Sequence, residues 1–527
     1  MWISPSASMR RTVRQAGRRG LALLVSLALA GCATQALQSA PQDPAKPWTP
    51  AGRSGTVPPP PGGLKPATPE AASAAAPDFA VPAEPAVAVL RPAAEIDARK
   101  VYDLPELIDI AQSRNPLTKL AWEQARQAAI AKGMVEATYL PLISAIVVGG
   151  AQKFSQSLPV PVGSIKNVDE TLSGVSPQIA LEWLLFDFGQ RGAFREAAEH
   201  NQMAANVLFN GAHQKIIFDV ARTYYVHDAA LSRVAIARQS LANSNRILDA
   251  ATERSDKGLG TTVEVAQARQ QVAQAKLAVV QAEGGERDAY QALLGAMGVS
   301  PSTELKVRPA GGRRLPANVG RPTEEMIRSA LARRPDVQAT YSALLASQAG
   351  ITAAKAEFMP KVFLGGVIAG GSTNFGAMSL PTISQQSSAS GVVVGVTMPI
   401  YDGGLRLARL KGAESIAAAS EATFHKTQED AAREIVVTSD MLRSALAAHQ
   451  AADELVKTAG ITYDAALDAY RSGVGTIQVA TEANTGLLVA RQARSDAHAA
   501  ALVAAANLAF VLGAMTSRDA PGELPGR

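Results

Sequence analysis

Six histidines, one cysteine and 46 acidic residues give this 527-residue chain its main scope for chemistry. The histidines (His200, His213, His227, His425, His449 and His498) never fall in a His-x-x-x-His pair or beside a cysteine. Those are the spacings that bring two ligands to one metal ion, so helix-surface positions explain these residues better. There is no Gly-x-Ser-x-Gly elbow to present a serine nucleophile, and no phosphate-cradling loop ending in Gly-Lys. The pairs Gly149-Gly150, Gly365-Gly366 and Gly370-Gly371 lie in strand-like stretches, where close packing or strand bending explains them better than nucleotide binding. The pattern reads as a chain that is not an enzyme and needs no metal and no cofactor.

The single thiol stands at an informative place. Arg10, Arg11, Arg14, Arg18 and Arg19 precede an apolar run from Leu21 to Ala30, the layout of a secretory signal. The run is too short to cross a bilayer, which takes about 20 apolar residues. It ends in Leu29-Ala30-Gly31-Cys32, which resembles the bacterial lipoprotein signal, with small residues for the peptidase and a thiol to receive the lipid. An ordinary signal with an incidental cysteine is the alternative. No disulfide can form within one chain. Ala33 follows where sorted lipoproteins of the inner membrane carry Asp, so the expected destination is the outer membrane. Residues 1–31 are thus expected to be a signal peptide.

Charge and proline placement describe the rest. The chain has 51 basic residues for a net charge of +5, but the five arginines are the only charges before Cys32. Without them 46 basic residues face 46 acidic ones, so nothing argues for nucleic acid as a partner. Fourteen of the 31 prolines fall between Pro41 and Pro92 among Ala, Gly and Ser. That composition cannot offset the entropy of ordering, and 32–100 reads as a lipidated tether. No proline occurs between Pro177 and Pro301, or between Pro399 and Pro521. Such proline-free spans rich in Ala, Gln, Leu, Glu and Arg are what long helices demand. With no later uninterrupted apolar stretch long enough for a membrane helix, the way left to span a membrane is a β-barrel.

The two halves repeat. Asn115-Pro116 matches Arg334-Pro335, and Tyr139-Leu140-Pro141 matches Phe358-Met359-Pro360, each 219 residues on. Phe186-Asp187-Phe188-Gly189 matches Tyr401-Asp402-Gly403-Gly404, and Lys257-Gly258-Leu259-Gly260-Thr261 matches Ser472-Gly473-Val474-Gly475-Thr476, both 215 on. Leu294-Gly295-Ala296-Met297 matches Leu512-Gly513-Ala514-Met515, 218 on. Turns kept in register through the chain point to a duplication, with repeats at 101–320 and 321–515 and a tail at 516–527.

Each repeat predicts the same elements. A helix over Leu104–Thr138, or Glu324–Glu357, breaks at its X-Pro step. Two strands follow. Ile179, Leu181, Trp183 and Leu185 alternate with Gln178, Ala180, Glu182 and Leu184, as Val392, Val394, Val396, Met398 and Ile400 do with Gly391, Val393, Gly395, Thr397 and Pro399. Partner strands fit Leu142–Gln152 and Val362–Gly371, with polar stretches at Lys153–Gly174 and Ser372–Ser390 suited to extracellular loops. Helices of about 65 residues, Arg191–Ser255 and Arg406–Arg471, would run roughly 100 Å. No single globular core encloses that length, so they must lie against other helices as coiled coils do. Glycine-bearing turns then reverse the chain into return helices at Thr262–Leu294 and Ile477–Leu512. A soluble helical bundle with two hairpin insertions is the alternative, but it leaves the strands without a stable sheet. Trp183, Phe186 and Tyr401 stand at strand-to-helix junctions, as interface aromatics or as core.

Arg333-Arg334-Pro335-Asp336-Val337 followed by Ala353-Ala354-Lys355-Ala356-Glu357-Phe358-Met359-Pro360 resembles the signature of the TolC-like outer-membrane efflux proteins. Pro399-Ile400-Tyr401-Asp402-Gly403-Gly404 resembles that family's strand-to-helix junction, and Tyr470-Arg471-Ser472-Gly473-Val474 its helical tip. The likeness runs from about Leu104 to Met515. It implies a mainly α fold with a membrane β-barrel: four strands and long coiled-coil helices per protomer, joined in a homotrimer with one barrel and an α-helical tunnel. It also implies a passive duct, anchored by lipid in the outer membrane and reaching into the periplasm. The tip turns at Gly258, Gly260, Gly473 and Gly475 would dock on a periplasmic adaptor served by an inner-membrane pump, proton-driven or ABC-type.

In that family two Asp residues three apart, after the second turn, narrow the periplasmic entrance. Aligned on Gly473, they fall on Val479 and Glu482; in the first repeat the equivalents are Glu264 and Gln267. One acid per repeat remains. Three copies each of Glu264 and Glu482 round an opening would favour cations and repel one another, a pH-sensitive constriction; solvated helix-face carboxylates are the alternative. The expected function is efflux of drugs or other small molecules, with the outer-membrane component of a type I protein secretion system as the alternative. A periplasmic coiled-coil lipoprotein without a pore is the reading from another class.

Overall fold

The computed structural model describes residues 96–162, 165–310, 315, 319–377 and 383–515. The signal segment, Cys32, the tether up to residue 95 and the tail at 516–527 lie outside the described residues.

In chain order the elements are β1 (Val101–Tyr102), α1 (Leu104–Arg114), α2 (Pro116–Ala137), β2 (Leu142–Val162), β3 (Ile165–Phe186), α3 (Gln190–Asp256) and α4 (Thr262–Met297). Then follow β4 (Lys306–Val307), α5 (Glu324–Leu331), α6 (Pro335–Ala356), β5 (Lys361–Ala377), β6 (Ile383–Thr397), α7 (Leu405–Arg471) and α8 (Ile477–Val511). α3 and α7 are both 67 residues long, as the proline-free spans require. Each X-Pro step separates two helices because the pyrrolidine ring disfavours helical backbone in the residue before it, while proline suits the first helical turn. Asn115 is extended accordingly (φ −64°, ψ 128°).

The chain divides into two compact units, each drawing on both repeats. The unit of residues 126–204 and 340–423 holds an antiparallel sheet in the order β2-β3-β5-β6. Leu142 pairs with Glu182 in the first hairpin, and Lys361 with Thr397 in the second. These pairs differ by 219 and 215 residues, so the duplication extends to the ladder register. The stretches Lys153–Gly174 and Ser372–Ser390, expected as loops, are in large part strand: pairing runs unbroken from Leu142↔Glu182 to Ser157↔Asn167, and from Lys361↔Thr397 to Phe375↔Ile383. Hydropathy marked only the apolar part of each strand, whereas the hydrogen-bond ladder is indifferent to the side chains it carries. At the other end β6 stops at Thr397, short of Met398 and Ile400, because its partner β5 begins only at Lys361.

The sheet carries little core of its own. Val393 and Val394, on opposite faces, are 62% and 64% exposed, and no residue of β2, β3, β5 or β6 joins a buried apolar cluster among the described residues.

The other unit comprises the described residues of 96–125, 205–339 and 424–515. Leu107, Ile216, Val220, Tyr225, Leu293, Met297 and Leu502 form its largest cluster. A second joins Ile247, Tyr463, Leu467, Tyr470, Ile477 and Leu487, and a third is built on Ile435, Leu442 and Leu508. β1 and β4 pair in parallel beside the first cluster. The X-Pro steps tie each repeat's return helix: Asn115 Nδ2 donates to Ala296 O at 2.9 Å, and Arg334 Nη1 to Val511 O at 3.3 Å. Arg334 also pairs with Asp336 and Glu434, both at 2.7 Å. Burial opposes the Asp336 charge, but Arg334 outweighs it and holds that carboxyl below the usual range.

Candidate functional site at the paired turns

The turns after α3 and α7 are built alike. Gly258 and Gly473 end their helices in the left-handed region, at φ 72° and 83°, which a glycine enters without strain. Two residues on, a Cβ at Gly260 would meet Ser255 N at 3.1 Å, and one at Gly475 would meet Ala469 at 3.1 Å. Thr261 and Thr476 then cap α4 and α8, accepting from the N–H groups of Glu264 and Val479. The Gly-x-Gly-Thr spacing read from the sequence is thus a helix stop, a close approach and a helix start in four residues.

Three side chains join the two turns. The Tyr470 hydroxyl donates to Glu264 Oε2 at 2.9 Å. Arg254 Nη1 donates to Tyr470 O and Nη2 to Leu259 O, both at 3.0 Å, with the guanidinium 5.2 Å from the Tyr470 ring centre. Tyr470 is 1% exposed. Burial, then the hydrogen bond and charge of Glu264, push its pKa up to about 12 against the opposing Arg254. The two acids singled out by sequence therefore differ. Glu264 is half-buried in this cluster, while Glu482 is exposed and accepts from Gln478 Nε2 at 3.0 Å. The sequence does not mark Arg254 and Tyr470 as partners of Glu264, because they lie 10 residues before and 206 after it and only the packing of the repeats joins them. A buried amide sits further along: Asn484 Nδ2 donates to Ser244 Oγ at 3.0 Å.

In the strand unit, a second arrangement turns each sheet hairpin into its long helix. The Arg191 backbone N–H and Nε both donate to Asp187 Oδ2, at 2.9 and 2.8 Å. Its Nη1 reaches Leu184 O at 2.7 Å and Thr138 O at 3.1 Å, and the guanidinium lies 4.6 Å from the Tyr139 ring centre. In the second repeat Arg406 Nε bonds Asp402 Oδ2 at 2.7 Å and stacks over Phe358 at 5.2 Å. The junction match stops short of both arginines; the signal that marks them is an Asp-x-x-x-Arg spacing present in each repeat. Phe188 takes a left-handed φ of 52° where the second repeat has Gly403. Of the junction aromatics, Trp183 Nε1 donates to Tyr139 O at 2.8 Å, while Phe186 and Tyr401 are 53% and 89% exposed.

Among the described residues no three His, Cys, Asp or Glu side chains come together as a metal site, and no helix is long and apolar enough to cross a membrane.

Comparison with known proteins agrees with this geometry. The family model "Outer membrane efflux protein" matches residues 107–299 and 326–514, one block in each repeat. Protein CyaE of Bordetella pertussis is 29% identical over 411 residues, covering 76% of this chain and 83% of that protein. Outer membrane protein OprJ of Pseudomonas aeruginosa is 26% identical over 377 residues, 69% of this chain and 76% of the relative. A solved membrane protein from Pseudomonas aeruginosa superposes with a TM-score of 0.67 at 23% identity, covering 80% of this chain and 98% of that one. Matched over both repeats, this chain belongs to the outer membrane efflux protein family, and it is an outer-membrane efflux channel.

Proposed function

We propose that three copies of the chain form the outer-membrane duct of a three-part exporter, taking cargo from an inner-membrane pump through a periplasmic adaptor. The observation that carries this reading is the four-stranded sheet with two unpaired edges among the described residues and apolar side chains on both faces. Four strands do not close a barrel, while three copies bring twelve. The membrane-spanning band then faces lipid, and every backbone group inside the bilayer is paired. Energy comes from the pump, and the chain is a passive conduit. Cys32 carries the lipid and 32–100 tethers it to the body, as the name of the relative "Probable outer membrane lipoprotein SilC" suits. The two repeats, 101–320 and 321–515, each supply one hairpin and one pair of long helices.

The turns at Gly258, Gly260, Gly473 and Gly475 meet the adaptor, and the Tyr470–Glu264–Arg254 cluster is the gate latch. Closed, it pins the first repeat's turn to the second. Opening breaks the Tyr470–Glu264 bond, while Glu482 offers an exposed negative charge to passing cations. The cargo is drugs or other small molecules. Relatives named for cation efflux and for pyoverdine export show that one family serves unlike cargo, which fits selection by the pump.

Deleting the gene should raise drug susceptibility, and outer-membrane fractions should contain heat-sensitive trimers of a lipid-modified chain. Unchanged susceptibility with loss of a secreted protein would favour the protein-secretion role. Monomers without a pore would leave only a scaffold.

A further inference from the structure

One face of the sheet holds a hollow of about 970 Å³, a size that suits a small molecule. Its floor follows from the ladder registers, which line up three neighbouring rungs across the strands. Leu142, Glu182, Gly365 and Val393 form the middle rung. Ala180, Val367 and Gly391 lie on one side of it, and Leu184, Phe363 and Gly395 on the other. Each rung sets a large residue beside a small one, so side chains wall a space that the glycines leave open. A Cβ at Gly365 would have only Val393 O within 4 Å, at 3.9 Å, whereas one at Gly395 would run into the Phe363 ring. The ring therefore tips over Gly395, and the room lies above Gly365, between Glu182 and Val393. The end of α2, at Met134, Ala137 and Leu140, borders the hollow where β2 begins.

Glu182 gives this apolar space a charge. It is the one carboxylate among the described side chains of the four strands. It is exposed and has neither a hydrogen-bond nor an ion-pair partner among the described residues. Lys361, on the same face, stands two rungs away, about 13 Å along the strand. The opposite face carries Ile143, Val147, Leu181, Ile368, Val392 and Val394. A carboxylate is unfavourable against lipid, so in a closed barrel that apolar face meets the bilayer and the Glu182 face lines the duct.

We infer that this hollow is a binding site in the duct wall for lipophilic organic cations, with Glu182 meeting the charge and Phe363, Leu142 and Val393 the apolar body. This deepens the reading of the chain as a duct for small molecules and rests on it. The match is one of charge and surface together. Apolar walls focus the field of the carboxylate, and an aromatic ring face beside it adds attraction for a cation. A bulky organic cation sheds its weakly held water and covers the exposed Leu142 and Val393, 63% and 62% exposed. A small inorganic cation keeps its water and gains nothing from those walls, and a lipophilic anion meets the Glu182 charge. Three copies place three such hollows round the duct.

Tetraphenylphosphonium is the probe, and tetraphenylborate, an anion of nearly the same shape, is the control. Each is added to the full-length protein in planar bilayers, the current of a protein-free bilayer is subtracted, and block is read against each channel's own open current. Every variant must first form heat-sensitive trimers. The inference expects reversible block by the cation and far less by the anion. Glu182→Gln should need roughly ten times more cation for half-block, the loss of one screened charge contact. Gly365→Val, which keeps the carboxylate and fills the hollow, should weaken the block as well; where it fails to assemble, Glu182→Gln, equal in size to the parent, carries the test. Equal block in the parent and Glu182→Gln, or equal block by cation and anion, overturns the inference. So does full block in an assembled Gly365→Val channel, which would leave a charge without a site, and so does block that weakens only in Glu482→Ala. The duct reading survives all of these. An absence of current from both the parent and Tyr470→Phe overturns the duct reading, and the binding site falls with it.

Discussion

Tyr470 links the two turns. Its hydroxyl reaches Glu264 across 206 positions of sequence, and its carbonyl holds Arg254. A hydrogen bond to a charged partner contributes about 2 kcal/mol. Tyr470→Phe should therefore leave the trimer assembled and raise conductance, read in planar bilayers at neutral pH. Burial of Tyr470, and then this bond, set a pH window. An unfolded tyrosine titrates near 10, whereas Tyr470 holds its proton to about 12. A raised pKa of this kind adds stability that is whole below pH ~10 and is lost as the pH rises towards 12, where a phenolate would face the Glu264 carboxylate. Conductance of the parent channel should rise over that interval, and the Tyr470→Phe channel should show no such step. A step that persists in the variant would place the titrating group elsewhere. Glu482→Ala separates the second acid: loss of cation preference without a change in the alkaline step is the expected outcome.

Junctions and turns decide how the elements follow one another. The Arg191–Asp187 pair is 9% and 7% exposed at its side chains, and removing one partner of a buried pair costs about 3 kcal/mol or more. Arg406 and Asp402 are less enclosed, at 11% and 23%, and Arg406 lacks the carbonyl partners that Arg191 has at Leu184 and Thr138. Arg191→Leu should lower the melting temperature of the trimer more than Arg406→Leu; equal shifts would show that the carbonyl contacts contribute little. Gly258→Ala and Gly473→Ala should each cost about 1 kcal/mol, the price of a left-handed alanine, measured as a shift in thermal unfolding. Helices and turns were legible in the sequence because proline, glycine and capping threonine act within a few residues of themselves. The polar halves of the strands were not. From Lys153 and from Ser372 onward the chain loses its apolar alternation, and only the ladder shows that pairing continues. The Tyr470–Glu264–Arg254 cluster was half legible: Glu264 stood out beside its turn, but Arg254 and Tyr470 are brought to it by packing between repeats.

At the scale of the whole molecule, duplication and incompleteness belong together. Each repeat supplies a hairpin, and the two hairpins share one internal seam, leaving two edges of the same kind unpaired among the described residues. A sheet exposed on both faces, with bare edges, is a poor endpoint in water and a sound third of a closed barrel in lipid. The central claim is therefore that the conducting particle contains three chains. Single-channel recording of the purified full-length protein, with copies per conducting particle counted by stepwise bleaching of one label per chain, tests it most directly. The account predicts steady conductance confined to particles that bleach in three steps. Conductance from single chains, or trimers that pass no current even with Tyr470→Phe in place, would contradict it.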